Sequence, residues 1–292
     1  MVADSGKSAA LADEYVDVDG ARIWTTRSGS GPPLLLCHGG PGLWDYLQPV
    51  AALIDDLVSV YRYDQRGCGR SSPDGPYSVA RSVEDIESLR RRFGFERWLV
   101  GGHSWGASLA LAYAWEHPER VDGIVYMSGV GLAMSWKQAY REEEERRLTP
   151  VQRDRLAALR DKERDAAEER ESLVLAWSRD FADRSTAMDY AARFQADGFA
   201  VNYECNSRIN RELGAWVESD LVEKCRILDV PVLILHGALD PRPVWAADSL
   251  VESLPPRERS IIEGAGHLPW VEKPDEVKAA LREFLRQLPV RE

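Results

Sequence analysis

The stretch Gly102-His103-Ser104-Trp105-Gly106 follows the apolar run Trp98-Leu99-Val100 and leads into Ala107-Ser108-Leu109-Ala110-Leu111-Ala112, which is rich in helix formers. A G-x-S-x-G segment between a strand and a helix constrains the fold more than any other feature here. The backbone must turn sharply at the sheet edge and leave the serine hydroxyl exposed. So tight a turn holds the serine in a strained region, and a Cβ on either flanking position would collide with the neighbouring strand and helix. Alone, the pattern also fits a glycine-rich connection of another α/β protein, such as a nucleotide fold.

A serine nucleophile needs a base and an acid to orient it, and after an elbow of this kind the chain order is Ser, then Asp or Glu, then His. The chain has five histidines. His117 stands in Glu116-His117-Pro118-Glu119, where the proline ends a helix, and reads as structural. His236 ends the run Val232-Leu233-Ile234-Leu235-His236-Gly237 and reads as a packed or hydrogen-bonded core residue. His267 lies in the loop Gly264-Ala265-Gly266-His267-Leu268-Pro269, with little other reason to carry an imidazole. Asp240, just past the strand that ends at His236, is placed to reach that imidazole over the sheet edge. The competing reading of Asp240 is a turn-forming aspartate before Pro241. Asp229 precedes the strand, and Asp248 falls in the following helix.

Acyl transfer also needs two preorganised N–H groups aimed at the developing oxyanion. Trp105, the residue after the nucleophile, supplies one. The other is expected from His38-Gly39-Gly40-Pro41-Gly42, after the apolar run Leu34-Leu35-Leu36-Cys37. Gly40 is the natural donor, whereas Pro41 has no N–H to give. An ordinary Gly/Pro turn remains the plain alternative. The joint occurrence of strand, glycine loop, elbow, acid and histidine, in that order, weighs against it.

With 292 residues, the chain is long enough for one α/β domain plus an insertion. Lys and Arg total 37 against 48 Asp and Glu, a net charge of −11, which disfavours nucleic acid and anionic membrane as partners and suits neutral or cationic small substrates. Cys37, Cys68, Cys205 and Cys225 lack metal-ligand or disulfide spacing, so no metal and no cofactor are expected, and the thiols read as reduced in a cytoplasmic protein. Residues 1–13 are expected to be a flexible N-terminus without the apolar core of a signal peptide. No run approaches the roughly 18 apolar residues of a membrane helix.

Strand and helix patterns alternate over 14–134 and again over 223–292. A helix from Ser78 to Phe93 places Val79, Val83, Ile86 and Leu89 on one face, and an amphipathic helix closes the chain from Pro274. The alternation predicts a mostly parallel sheet covered by helices on both sides. Residues 135–222 are charged and helical without strand signals, and are expected to form a lid above the strand ends. Thr149-Pro150-Val151-Gln152 marks a helix start within it. Arg141 to Arg147, a run of charges, reads as a solvated helix face.

His38-Gly39-Gly40-Pro41-Gly42, Tyr63-Asp64-Gln65-Arg66-Gly67-Cys68-Gly69-Arg70-Ser71 and Ser104-Trp105-Gly106 together resemble the proline iminopeptidase (prolyl aminopeptidase) family of α/β-hydrolases. The likeness covers both core segments. It implies an α/β-hydrolase fold and a Ser104, His267, Asp240 triad, with the Gly40 and Trp105 amides as oxyanion hole and Asp64 and Arg66 bracing the loops. Two positions depart from the family pattern. His103 stands where a glycine is usual, and Leu43-Trp44-Asp45-Tyr46 replaces a further glycine run, so Gly39 and Trp44 are expected at the substrate pocket and its mouth.

The resemblance further implies lid glutamates that bind a substrate's free α-amine, and Glu204 sits in the right zone. The competing reading is a surface glutamate paired with Arg208 one turn on; Glu212 and Glu218 are weaker candidates. The expected function is thus a serine hydrolase releasing N-terminal proline, or a similar residue, from small peptides or amides. An ester, lactone or amide hydrolase of small metabolites is the nearer alternative, and a non-catalytic ligand-binding relative the farther one.

Overall fold

The computed structural model describes residues 11–160, 162–194, 198–254 and 257–289. Eight strands form one sheet: β1 (Leu11–Val18), β2 (Ala21–Ser28), β3 (Pro33–Cys37), β4 (Ser59–Tyr63), β5 (Trp98–His103), β6 (Val121–Met127), β7 (Val232–Gly237) and β8 (Arg257–Ile262). Their spatial order is β1-β2-β4-β3-β5-β6-β7-β8. The three leading neighbours pair antiparallel, and from β4 to β8 every pairing is parallel. The expected N-terminal tail is therefore shorter than 1–13. Strand β1 already begins at Leu11, because Glu14 to Val18 pair with the β2 residues Ala21 to Thr25 through a tight turn; the remainder of that expectation lies outside the described residues.

Period-two alternation sends successive strand residues into two separate cores. Leu35, Val100, Ile124, Tyr126, Val232 and Ile234 face one side. There they meet α2 (Val79–Arg92), α3 (Trp105–Glu116), α9 (Glu218–Arg226) and α10 (Asp248–Ser253). Leu34, Leu36, Leu99, Val125, Leu233 and Leu235 face the other, against α1 (Gln48–Ala51), α11 (Pro269–Glu272) and α12 (Pro274–Gln287). Helix α2 starts where the sequence predicts, with the Ser78 hydroxyl accepting from the Arg81 N–H at 3.1 Å.

Between β6 and β7, the insertion contributes α4 (Lys137–Arg147), α5 (Pro150–Arg160), α6 (Ala166–Ser178), α7 (Ala187–Phe194) and α8 (Tyr203–Gly214). The predicted box at α5 forms: the Thr149 N–H donates to Gln152 Oε1 at 3.0 Å and the Gln152 N–H to Thr149 Oγ1 at 3.3 Å. Two expectations need correcting. The expected boundary at 222 falls inside helix α9, which runs unbroken from Glu218 to Arg226 and buries Leu221 and Cys225. The charge run on α4 is not wholly solvated either, because the Arg147 guanidinium reaches inward to the Arg179 carbonyl at 2.8 Å and to that of Leu239.

Buried ion pairs brace the loops beside the strand ends. Arg66 grips Asp85 with two bonds, at 2.8 and 2.6 Å, and donates to the Val18 carbonyl at 3.1 Å. Asp64 accepts from the Asp45 and Arg70 amides at 2.6 and 2.7 Å. Among the described residues no helix is long and apolar enough to cross a membrane. Breaking a buried pair strands one charge, so Asp85→Ala should lower the unfolding free energy by about 3–5 kcal/mol, measured as a lower urea midpoint with unchanged slope.

Candidate active site

The end of β5 delivers Ser104 in left-handed backbone, with φ 56 and ψ −117. Only two other non-glycine residues described, Asp19 and Ser128, share a positive φ. Holding a serine there costs about 1–3 kcal/mol, which the surroundings must offset. They do so in part through the Ser104 N–H, which donates to the Met127 carbonyl at the end of β6 at 2.9 Å. The flanking glycines are demanded by space. A Cβ on Gly102 would lie 2.3 Å from the Gly106 backbone, and one on Gly106 would lie 2.0 Å from the Cys37 carbonyl oxygen.

The structure brings Asp240 and His267 together. His267 Nδ1 donates to Asp240 Oδ2 at 2.6 Å, and both side chains are buried. With Nδ1 held as a donor, the neutral ring presents a bare Nε2, the nitrogen able to take a proton. The other oxygen, Asp240 Oδ1, accepts from the Arg242 N–H at 2.8 Å. Burial works against ionising Asp240. The adjacent His267, its hydrogen bond and then His236 and Arg242 outweigh it and hold the carboxyl well below the usual carboxylate range. His236 serves as expected of a core residue, with Nε2 donating to the Arg242 carbonyl at 3.0 Å.

Arg242 and Asp180 are neighbours of this pair that the sequence did not reveal. The Arg242 guanidinium lies 2.6 Å from Asp180 Oδ1 and 3.6 Å from Asp240 Oδ1. The Asp180 carbonyl, in the insertion, accepts the His267 N–H at 2.7 Å. Glu272 completes the join, accepting from Ala182 at 2.8 Å and from Gly266 at 2.7 Å. The loop carrying His267 is thus tied to the insertion on one side and to Asp240 on the other.

On the opposite side of the elbow, Gly40 adopts φ 55. Trp105 opens α3, so its N–H is one of the orphan donors of a helix start. Gln65 joins the two loops: its Nε2 donates to the His38 carbonyl at 2.8 Å and its Oε1 accepts from the Trp105 indole at 2.8 Å. Gly39 departs from expectation, because its N–H is already taken by Tyr46 Oη at 2.8 Å and a Cβ there would sit 2.3 Å from that oxygen. It is a packing glycine.

Two further expected site residues lie elsewhere. Trp44 is 1 % exposed and packs against Trp177 and Phe199 of the insertion, each with ring centroids 5.8 Å apart, so it is a buried contact to the insertion instead of a lining of the mouth. Glu204 has a 63 % exposed side chain and pairs with Arg208 at 2.8 Å, as an i, i+4 pair on the outer turn of α8. Glu212 accepts from the Val79 N–H at 2.8 Å and so caps α2. Among the described residues, no group of three or more His, Cys, Asp or Glu is placed to hold a metal ion.

His38, His103 and His236 are buried, and burial is the leading cause that lowers the pKa of each below 6.5. The folded state therefore binds these protons less readily than the unfolded chain does. Their contribution to stability is complete above pH 6.5 and declines as the pH falls toward the folded values. Urea melts should show unfolding free energy dropping below pH 6.5, each histidine adding up to about 1.4 kcal/mol per pH unit. His236→Gln should reduce that slope by about one histidine's share.

A model of the alpha/beta hydrolase fold family matches residues 32–274. The proline iminopeptidase of Neisseria gonorrhoeae is 30% identical over 276 residues, covering 84% of this chain and 86% of that protein. The proline iminopeptidase of Saccharolobus solfataricus is 29% identical over 308 residues, covering 97% and 95%. Among solved structures, that of the proline iminopeptidase of Mycobacterium smegmatis matches with a TM-score of 0.72 over 94% of this chain and 98% of its own, at 21% identity, a likeness of fold.

Proposed function

The chain belongs to the alpha/beta hydrolase fold family and to its proline iminopeptidase family, and from that premise we propose that Ser104, His267 and Asp240 carry an acyl-enzyme hydrolysis. It is an enzyme, a hydrolase. The single observation that carries the triad reading is the 2.6 Å bond from His267 to a buried, ionised Asp240, beside an elbow that holds Ser104 in left-handed backbone. In this reading His267 Nε2 takes the Ser104 proton as Oγ attacks the substrate carbonyl. The oxyanion is received by the Gly40 and Trp105 amides. His267 then returns the proton to the leaving amine or alcohol, and water, activated by the same nitrogen, releases the acyl group.

The finer reading is an aminopeptidase that frees an N-terminal proline, or a similar residue, from short peptides or amides. Its support is the named relatives at about 30% identity over most of the chain. One observation favours a second reading, an ester or amide hydrolase indifferent to a free amine. The withdrawn lid carboxylates Glu144 and Asp180 are already paired, with Arg179 at 2.7 Å and Arg242 at 2.6 Å, and Glu204 is exposed and paired. A buried ammonium would need a carboxylate of its own.

Prolyl p-nitroanilide, its N-acetylated form and p-nitrophenyl esters separate the two. An aminopeptidase cleaves the free amine and loses the acetylated substrate, and Glu204→Gln shows whether that carboxylate takes part. Ser104→Ala should remain folded, lose turnover and escape fluorophosphonate labelling; labelling that persists would refute the nucleophile. Asp240→Asn should lower kcat on the order of 10⁴-fold by leaving His267 in the wrong tautomer.

A further inference from the structure

Three loops have to keep one register for such a site to work: the Gly39-Gly40 loop, the elbow at Ser104 and the loop carrying His267. An unbroken line of hydrogen bonds runs through all three. The Gly39 N–H donates to Tyr46 Oη at 2.8 Å, Tyr46 Oη stands 2.7 Å from His103 Nδ1, and His103 Nε2 stands 2.8 Å from the His267 carbonyl oxygen.

The chemistry of the partners fixes every direction in that line. A carbonyl only accepts, so His103 Nε2 carries hydrogen. Burial first, and then the neighbouring His267, push the His103 pKa well below its ordinary value, so the ring is neutral and Nδ1 is bare. Tyr46 therefore gives its one proton to Nδ1 while accepting from Gly39. Packing locks the line in place. The His103 ring lies 4.4 Å from that of His267, with Trp270 edge-on at 4.7 Å, and Tyr46 lies 4.9 Å from Phe194 of the lid.

We infer that Tyr46 and His103 are positioning residues: a neutral strap that sets the spacing between the oxyanion loop and the general base without touching the reacting atoms. This rests on the reading of Ser104 and His267 as nucleophile and base. The residue before the nucleophile acts here through its side chain. Because Gly39 is held by the strap, its neighbour Gly40 has a fixed place from which to offer its amide. Because the His267 carbonyl is held, the imidazole swings from a fixed point toward Asp240.

Turnover of an ester or anilide that depends on Ser104 gives the assay. Tyr46→Phe removes the middle of the strap, and kcat should fall about tenfold to a hundredfold with KM within about twofold. His103→Gln, whose amide can still donate to the His267 carbonyl and accept from Tyr46, should keep clearly more activity than His103→Leu. Nitrogen-15 histidine spectra, assigned by loss of the signal in His103→Gln, read the strap without catalysis: His103 should be the Nε2–H tautomer and stay neutral below pH 6. An Nδ1–H tautomer, or a charged ring at that pH, overturns the bond directions. Wild-type kcat in both Tyr46→Phe and His103→Leu, or no advantage of Gln over Leu, overturns the positioning role. Turnover that survives Ser104→Ala would instead overturn the reading of Ser104 as nucleophile; the positioning role falls with it, while the spectra still decide the bonds.

Discussion

The turn at Ser104 exists because α3 can approach β3 until the Gly106 backbone lies against the carbonyls of Cys37 and His38. Any larger residue at that point would push the helix away from the sheet, and the serine could not be presented above the strand ends. That close approach fixes the place of everything else. Strand β3 runs beside β5 in parallel register, so the loop leaving β3 emerges next to the elbow. The loops after β7 and β8 emerge at the same edge, since those strands continue the parallel order. Asp240 and His267 can meet only because their two strands are neighbours. The grouping of these residues at one edge is therefore a consequence of strand order together with the close seat of α3 on β3.

Much of this was legible in the chain itself. Long apolar runs such as Leu34 to Cys37 and Val232 to Leu235 have to be buried on both faces, and helical stretches between them supply the cover. Glycines at 102 and 106 announced the elbow because their requirement is local and steric. Asp240 and His267 could be chosen by order and by elimination. The α2 start at Ser78 and the α5 box at Thr149 followed from short-range hydrogen-bonding rules.

The remainder depended on contacts between residues far apart in sequence. The purpose of Tyr46 is invisible until the loop after β3 is folded against the elbow, 57 residues later in the chain. Arg242 reads as an ordinary turn residue until the insertion brings Asp180 to it. Trp44 looked like mouth lining because an aromatic in a glycine loop suggests exposure, yet Trp177 and Phe199 close over it. Glu204 is the reverse case. Its compositional neighbourhood suggested a pocket, while the helical phase of α8 buries Cys205 and Ile209 and turns the preceding carboxylate outward. Periodicity gives a helix its apolar face but says nothing of what lies above that face.

Helices α4 to α8 leave the sheet after β6 and return before β7, two strands that are hydrogen-bonded side by side. The entropy of closing so long an excursion grows only with the logarithm of its length. Removing or enlarging it would hardly alter how readily those two strands find one another. The handshake with the body of the protein joins apolar packing, Trp44 against Trp177 and Phe199 and the buried Cys205 and Ile209 of α8, to polar grips such as Arg147 on Leu239, Glu272 on Ala182 and Asn206 on Pro41. A chimaera that keeps those contacts, together with the Asp180 carbonyl on the His267 N–H, and changes only the outward faces of the intervening helices would carry the same strand ends under a new roof.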